Sequence, residues 1–266
     1  MPVQLKRHLR IFLAIQSAGM AKDIQLRGNF ALTLIGSLCY FYLHFISFKL
    51  IISRFHFPGW DTGQLWVLLF TFEIFTYLAF FFFWRGLQHT PREIGTGTFD
   101  VLLSKPFSSR FLAFFRNCSL HNLACAIFGA VYLVLALVKY QIHTSPIGIV
   151  LYLITLASSL WIFHCISVLF VCLNFKYGFL PGTSGVAFEI QEIYKYPATI
   201  FNSSGFLIHL LVIPLSLLTT IPAASLLLKP ISIPLLTTYL SSLIILSIWS
   251  QYSWSSALRH YSSASS

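Results

Sequence analysis

Acidic side chains are scarce: there are seven in a chain of 266 residues, and charged residues of both signs make up only 9% of it. A water-facing exterior needs a much larger charged share, so a soluble globular protein is excluded. The scarcity also weighs against a membrane-embedded enzyme acting on a lipid or polyprenyl substrate, which is the alternative class. Such an enzyme is expected to gather carboxylates or histidines at one membrane face, whereas here only Glu189 and Glu192, at i and i+3, form a close pair. The phosphate-loop pattern G-x-x-x-x-G-K-[ST] is missing, so the chain is not expected to bind ATP itself. Also missing are H-E-x-x-H, C-x-x-C and any Cys/His cluster, which leaves no metal, cofactor or catalytic residue to assign. The five cysteines, Cys39, Cys118, Cys125, Cys165 and Cys172, fall in or beside apolar runs and read as small packing residues. Finally, the apolar runs lack the alternation of a membrane β-barrel.

What remains is hydrocarbon. Hydrophobic residues make up 57% of the sequence, and its mean hydropathy is +0.79. A bilayer core of about 30 Å takes roughly 20 helical residues per crossing. Runs of that order cover Phe30 to Phe48, Leu65 to Trp84, Leu120 to Val138, Ile147 to Leu173 and Ile231 to Trp249. A further run, Leu207 to Leu228, contains Pro214 and Pro222. The expected fold class is all-α: a polytopic membrane protein of about six transmembrane helices, forming one domain over residues 1–266.

The N-terminus superficially resembles a secretion signal, but its apolar patch, Ile11 to Ile15, is short for one. Leu5, Leu9, Ile11, Phe12 and Ile15 fall on one side of a helical wheel, with Lys6, Arg7 and Arg10 on the other. Residues 1–28 therefore read as an amphipathic helix lying on an anionic leaflet.

The net charge of +10 is unevenly placed. Basic residues gather before the first crossing (Lys6, Arg7, Arg10, Lys22, Arg27) and between the second and third (Arg85, Arg92, Lys105, Arg110, Arg116). The positive-inside rule makes the N-terminus, the loop 85–116 and the tail 255–266 cytoplasmic. The tail is expected to fray. Basicity of this pattern is topological, and no nucleic-acid partner is expected.

The region 174–230 admits two arrangements. In one, 174–206 is a cytoplasmic loop and Leu207 to Leu228 spans with kinks at its prolines. In the other, a short helix ends near Tyr196-Pro197 and 200–228 forms a re-entrant hairpin on the outer side. Hydropathy favours the first, because Glu189, Glu192 and Lys195 burden a fifth helix placed before Pro197.

Within the basic loop, residues 95–110 read GTGTFDVLLSKPFSSR. Gly95 and Gly97 are expected to break a continuing helix, Thr98 to cap a new one with Asp100 in its first turn, and Pro106 to end it. The resulting helix of roughly two turns places Phe99, Leu102 and Leu103 on one face. That face can dock into a partner's groove or, more simply, lie on the inner leaflet.

In the membrane, an ionised Glu73 is costly and should face a partner or a cavity. A hydrogen-bonded structural acid is one reading; a place in the translocation path or permease interface, shared with Glu189 and Glu192, is another. His44 and His164 read as packed neutral residues, and FFFFW over 80–84 as an aromatic belt at the cytoplasmic boundary.

Arg92, Glu93, Ile94, Gly97, Asp100, Leu102, Leu103, Lys105, Pro106 and Ser108 form R-E-I-x-x-G-x-x-D-x-L-L-x-K-P-x-S. This arrangement resembles the first cytoplasmic loop of ABC-2-type (type-2 ATP-binding-cassette) exporter permeases, in the bacterial six-helix branch with paired permeases. Tyr196-Pro197, Val212-Ile213-Pro214 and Ile221-Pro222-Ala223 are similar to that branch's downstream landmarks. The resemblance implies a permease subunit, not itself an enzyme, forming half of a translocation path in the bacterial cytoplasmic membrane. Its implied partners are an ABC ATPase subunit that binds ATP, a second related permease in a homo- or heterodimer, and membrane lipid. It also implies ATPase coupling through Gly97, Phe99, Asp100, Leu103, Lys105 and Pro106, and raises the re-entrant arrangement of 200–228.

Overall fold

A computed structural model of the chain describes residues 27–105, 107–116, 118–203 and 206–261, together with Ser17. The amphipathic helix expected over 1–28 lies, but for its last residues, outside the described residues, as do Pro106 and residues 262–266. The described chain is helical and has no strands, as composition and periodicity predict.

Long helices form where apolar runs exceed a bilayer's thickness. They are α1 (Arg27–Arg54), α2 (Thr62–Ala79), α6 (Leu120–Lys139), α7 (Pro146–Tyr177) and α10 (Ile233–His260). A π-helical segment, Phe80–Trp84, joins α2 to α3 (Arg85–Thr96) without a break. The short helices are α4 (Asp100–Leu103), α5 (Ser109–Phe115) and α8 (Thr183–Gln191), and α9 (Phe206–Leu226) completes the set. Among the described residues five helices are long and apolar enough to cross a membrane, and α9 contributes a shorter apolar stretch, Val212–Leu226. The protein is a multi-pass membrane protein.

The continuous helix from Thr62 to Thr96 is central: 89% of its apolar window is buried, against 17% for α1 and 11% for α10. It packs along α6, while α7 packs along both α9 and α10. Gly148, in the first turn of α7, abuts the Leu226 carbonyl at the end of α9, so these two helices run in opposite directions. At that end of the bundle Lys229, between α9 and α10, donates to Gln64 Oε1 at 2.8 Å and to the Gly59 carbonyl, with its ammonium 4.1 Å from the Trp60 ring centroid. One cation thus staples the α1–α2 turn to the α9–α10 turn. The loop 85–116 closes the opposite end.

The region 174–230 follows neither expected arrangement in full. Helix α9 continues through Pro214 and Pro222, so 206–226 is not a hairpin. Residues 183–203 are nonetheless no solvent loop. They enter the body of the protein, where Tyr194 is buried edge to face with Phe75 and the Ala198 N–H donates to Thr220 Oγ1. Irregular backbone is tolerated here because it is covered by protein.

Three local readings are also corrected. The FFFFW run is no lipid-facing belt: Phe80, Phe81 and Phe83 are buried, with Phe83 against Phe115 and His164 and Phe80 against Phe188. Helix α10 extends past Trp249 to His260, so residues 255–260 of the expected tail belong to it. Gly95 lies inside α3 and does not break it.

Candidate functional site

The loop 85–116 is a folded unit. Helix α3 stops at Gly97, whose φ of +76° lies in the left-handed region where a Cβ is penalised. The Phe99 N–H then reaches back to the Glu93 carbonyl at 3.1 Å, which turns the chain sharply into α4. Helix α4 is a single turn, shorter than the two turns expected, and Phe99, not Thr98, precedes it. Ser108 Oγ accepts the Phe111 N–H and caps α5.

Helices α3 and α5 lie against each other. Thr90 Oγ1 donates to the Ala113 carbonyl at 3.2 Å, and Arg116 pairs with Glu93. A Cβ built on Gly86 would fall 2.6 Å from the Ala113 oxygen, so this contact depends on a residue without a side chain.

The loop is also bonded to the long helices. Arg110 donates to Gln251 Oε1 at 2.8 Å and to Ser250 Oγ at 3.2 Å, and the Trp254 indole N–H donates to Ser109 Oγ. Phe99 is fully buried among Phe175 of α7 and Trp254 and Tyr261 at the end of α10. Leu102 is buried as well.

The apolar face that i, i+3 spacing gives Phe99 and Leu102 therefore meets the protein's own helices, and Phe99 is not presented to a partner's groove. Turned outward instead are Val101, 62% exposed, and Leu103, 42% exposed, beside exposed Lys105. Gly97 sits buried at the turn and Asp100 is half-buried; Pro106 is outside the described residues. Val101 was missed by sequence reasoning. Its signal was an apolar residue one position out of phase with the buried pair.

The second polar locus lies inside the body. His44 Nδ1 is 2.8 Å from Glu73 Oε1, and His44 Nε2 is 3.3 Å from Glu192 Oε1. The Tyr40 hydroxyl donates to Glu192 Oε1 at 2.7 Å, and Lys195 Nζ donates to Glu192 Oε2 at 2.6 Å. Glu73 is buried, and its Oε2 has no hydrogen-bond partner among the described residues. With a carboxylate at each ring nitrogen, His44 can satisfy both only by donating from both, or by accepting from a protonated carboxyl on one side. It is thus not the solitary packed histidine expected. His164 does sit in an aromatic nest of Phe83, Phe114, Phe115 and Trp161.

Glu73 and Glu192, expected near a path or interface, come together through His44, whereas Glu189 is exposed and stays apart from this chain of bonds. The network joins α1, α2 and the 192–195 turn, which have few other reasons to hold together. Removing one partner from such a buried group typically costs about 3–5 kcal/mol, because the remaining charge is stranded.

A family model described as ABC-2 family transporter protein matches residues 38–265. No curated protein and no solved structure matches the chain.

Proposed function

Because the chain belongs to the ABC-2 transporter family and is thereby a permease component of an ABC transporter, we propose that it serves an ATP-driven exporter, coupling to a separate ATPase through the turn 97–105. ATP binds to that ATPase and not to this chain. A second permease, a copy or a relative, completes the translocation path. The setting is a bacterial cytoplasmic membrane, with both termini and the loop 85–116 on the cytoplasmic side.

The observation that carries this reading is the outward pair Val101 and Leu103 on a turn whose inward pair, Phe99 and Leu102, is buried against the permease's own helices. Val101 and Leu103 fill the ATPase groove, and Lys105 and Asp100 orient the contact by charge. Gly97 and Pro106 set the ends of the turn. Closure of the ATPase dimer on ATP pushes this turn. Phe99 passes the displacement to α7 and α10, which biases the permease pair between inward- and outward-facing states. Glu189, being exposed, is the acidic residue assigned to the path or permease interface. Glu73 and Glu192 tie α1 to the body.

The test is capture of the ATPase encoded beside this permease by the affinity-tagged full chain. Val101→Asp and Leu103→Asp should each lower capture at least tenfold without changing the permease's melting temperature in detergent. Undiminished capture by both variants would remove the docking role. The alternative of a lipid-processing enzyme needs Glu189 and Glu192 to act as a pair, and no observation favours it.

A further inference from the structure

Outside the loop and the ion network, a groove of about 1140 Å³ runs between α7, α9 and α10. Its walls are apolar over most of their length, with Ile162, Leu169, Leu215 and Leu246 among them. One end differs. Lys176, in the last turn of α7, and His260, in the last turn of α10, line it together with Ser253 and Ser256. Among the described lining residues there is no carboxylate. This is the end closed by the loop 85–116, since Phe175 both lines the groove and packs on Phe99 with ring centroids 5.2 Å apart.

Chemistry narrows the occupant. Water in so apolar a trough leaves its walls hydrated at a cost, and an empty trough forgoes dispersion contacts. A hydrocarbon chain avoids both. The basic end asks for a negative group, and the hydroxyls beside it can donate to oxygen. A soluble anion would leave the apolar length unfilled, and a neutral lipid would leave Lys176 without a counter-charge.

We propose that the groove is a binding site for an anionic phospholipid of the leaflet at the 85–116 end, with an acyl chain between α7, α9 and α10 and its phosphate at Lys176 and His260. Because Phe175 is shared between the groove wall and the Phe99 nest, the bound lipid braces the joint between the loop and the long helices. The site does not depend on which ATPase or second permease the chain meets.

The test uses the purified full chain in nanodiscs of phosphatidylcholine and phosphatidylglycerol in equal amounts, with retained lipid read by native mass spectrometry after transfer to detergent. The wild-type chain should keep phosphatidylglycerol in preference to phosphatidylcholine. Lys176→Gln, at an exposed position, should lower that preference about fivefold, the effect of one basic charge near an anionic headgroup. Leu246→Trp, which fills the trough, should lower retention of both lipids. Equal retention of the two lipids by the wild-type chain overturns the proposal, as does retention unchanged in both variants. A dimer of the chain carrying no lipid overturns it too, by assigning the groove to a second copy.

Discussion

Phe99 and Phe175 meet edge to face, their ring centroids 5.2 Å apart and their planes at 78°. The same Phe99 ring lies 5.7 Å from Tyr261 and 6.2 Å from Trp254. The turn beyond α3 is therefore packed into the ends of α7 and α10, and close-packed rings transmit displacement where a solvated loop would absorb it.

Phe99→Ala should lower the stability of the permease by about 3–5 kcal/mol through the cavity it leaves. The measurement is thermal unfolding of the detergent-solubilised chain. Val101→Ala, at a residue that touches little of the protein, should change unfolding by less than about 0.5 kcal/mol. Equal effects from the two would mean that the inward and outward sides of the turn are misassigned.

His44 and Glu73 should be strongly non-additive. His44→Ala and Glu73→Ala each strand a polar partner, and the double substitution strands less than the sum. A double-mutant cycle in detergent is expected to give a coupling of about 0.5–3 kcal/mol. Additive losses would indicate that the 2.8 Å contact carries no energy.

Gly86→Val should prevent α3 from seating on α5, because even a Cβ meets the Ala113 carbonyl and the Phe114 backbone at under 3 Å. Folded, monodisperse protein should fall sharply on size-exclusion chromatography. Gly97→Ala asks only for the left-handed backbone, a cost of about 1–2 kcal/mol, and should fold.

Glu93 and Arg116 bridge α3 and α5 while both are partly buried. Glu93→Arg and Arg116→Glu should each lower the melting temperature, and the charge-swapped pair should recover most of the loss. No recovery in the pair would show that each residue acts through other neighbours.

The long helices were legible in the sequence because a crossing is a matter of run length, and α1, α2, α6, α7 and α10 each contain the apolar run that marked them. Segment 183–203 was not. Hydropathy prices Glu192 and Lys195 as if each met lipid alone, and it cannot register that Glu192 is met by Tyr40, His44 and Lys195. A related limit applies to Phe99 and Leu102. Their spacing shows that they share a face, but nothing in a spacing says which body that face meets, and Val101 came into view only once the pair had turned inward. The left-handed turn at Gly97, by contrast, was announced by the glycine itself.

The wide turn at Phe80–Trp84 has a consequence for how the halves of the central helix are phased. A π turn carries one residue beyond the α-helical count, so the helix above it and the helix below it keep separate facings. Deleting a residue there would leave both halves helical but rotate one on the other by about 100°, swinging Glu93 away from Arg116. The spare residue works as a clocking pin: it sets the angle at which the loop 85–116 is offered to whatever pushes on it.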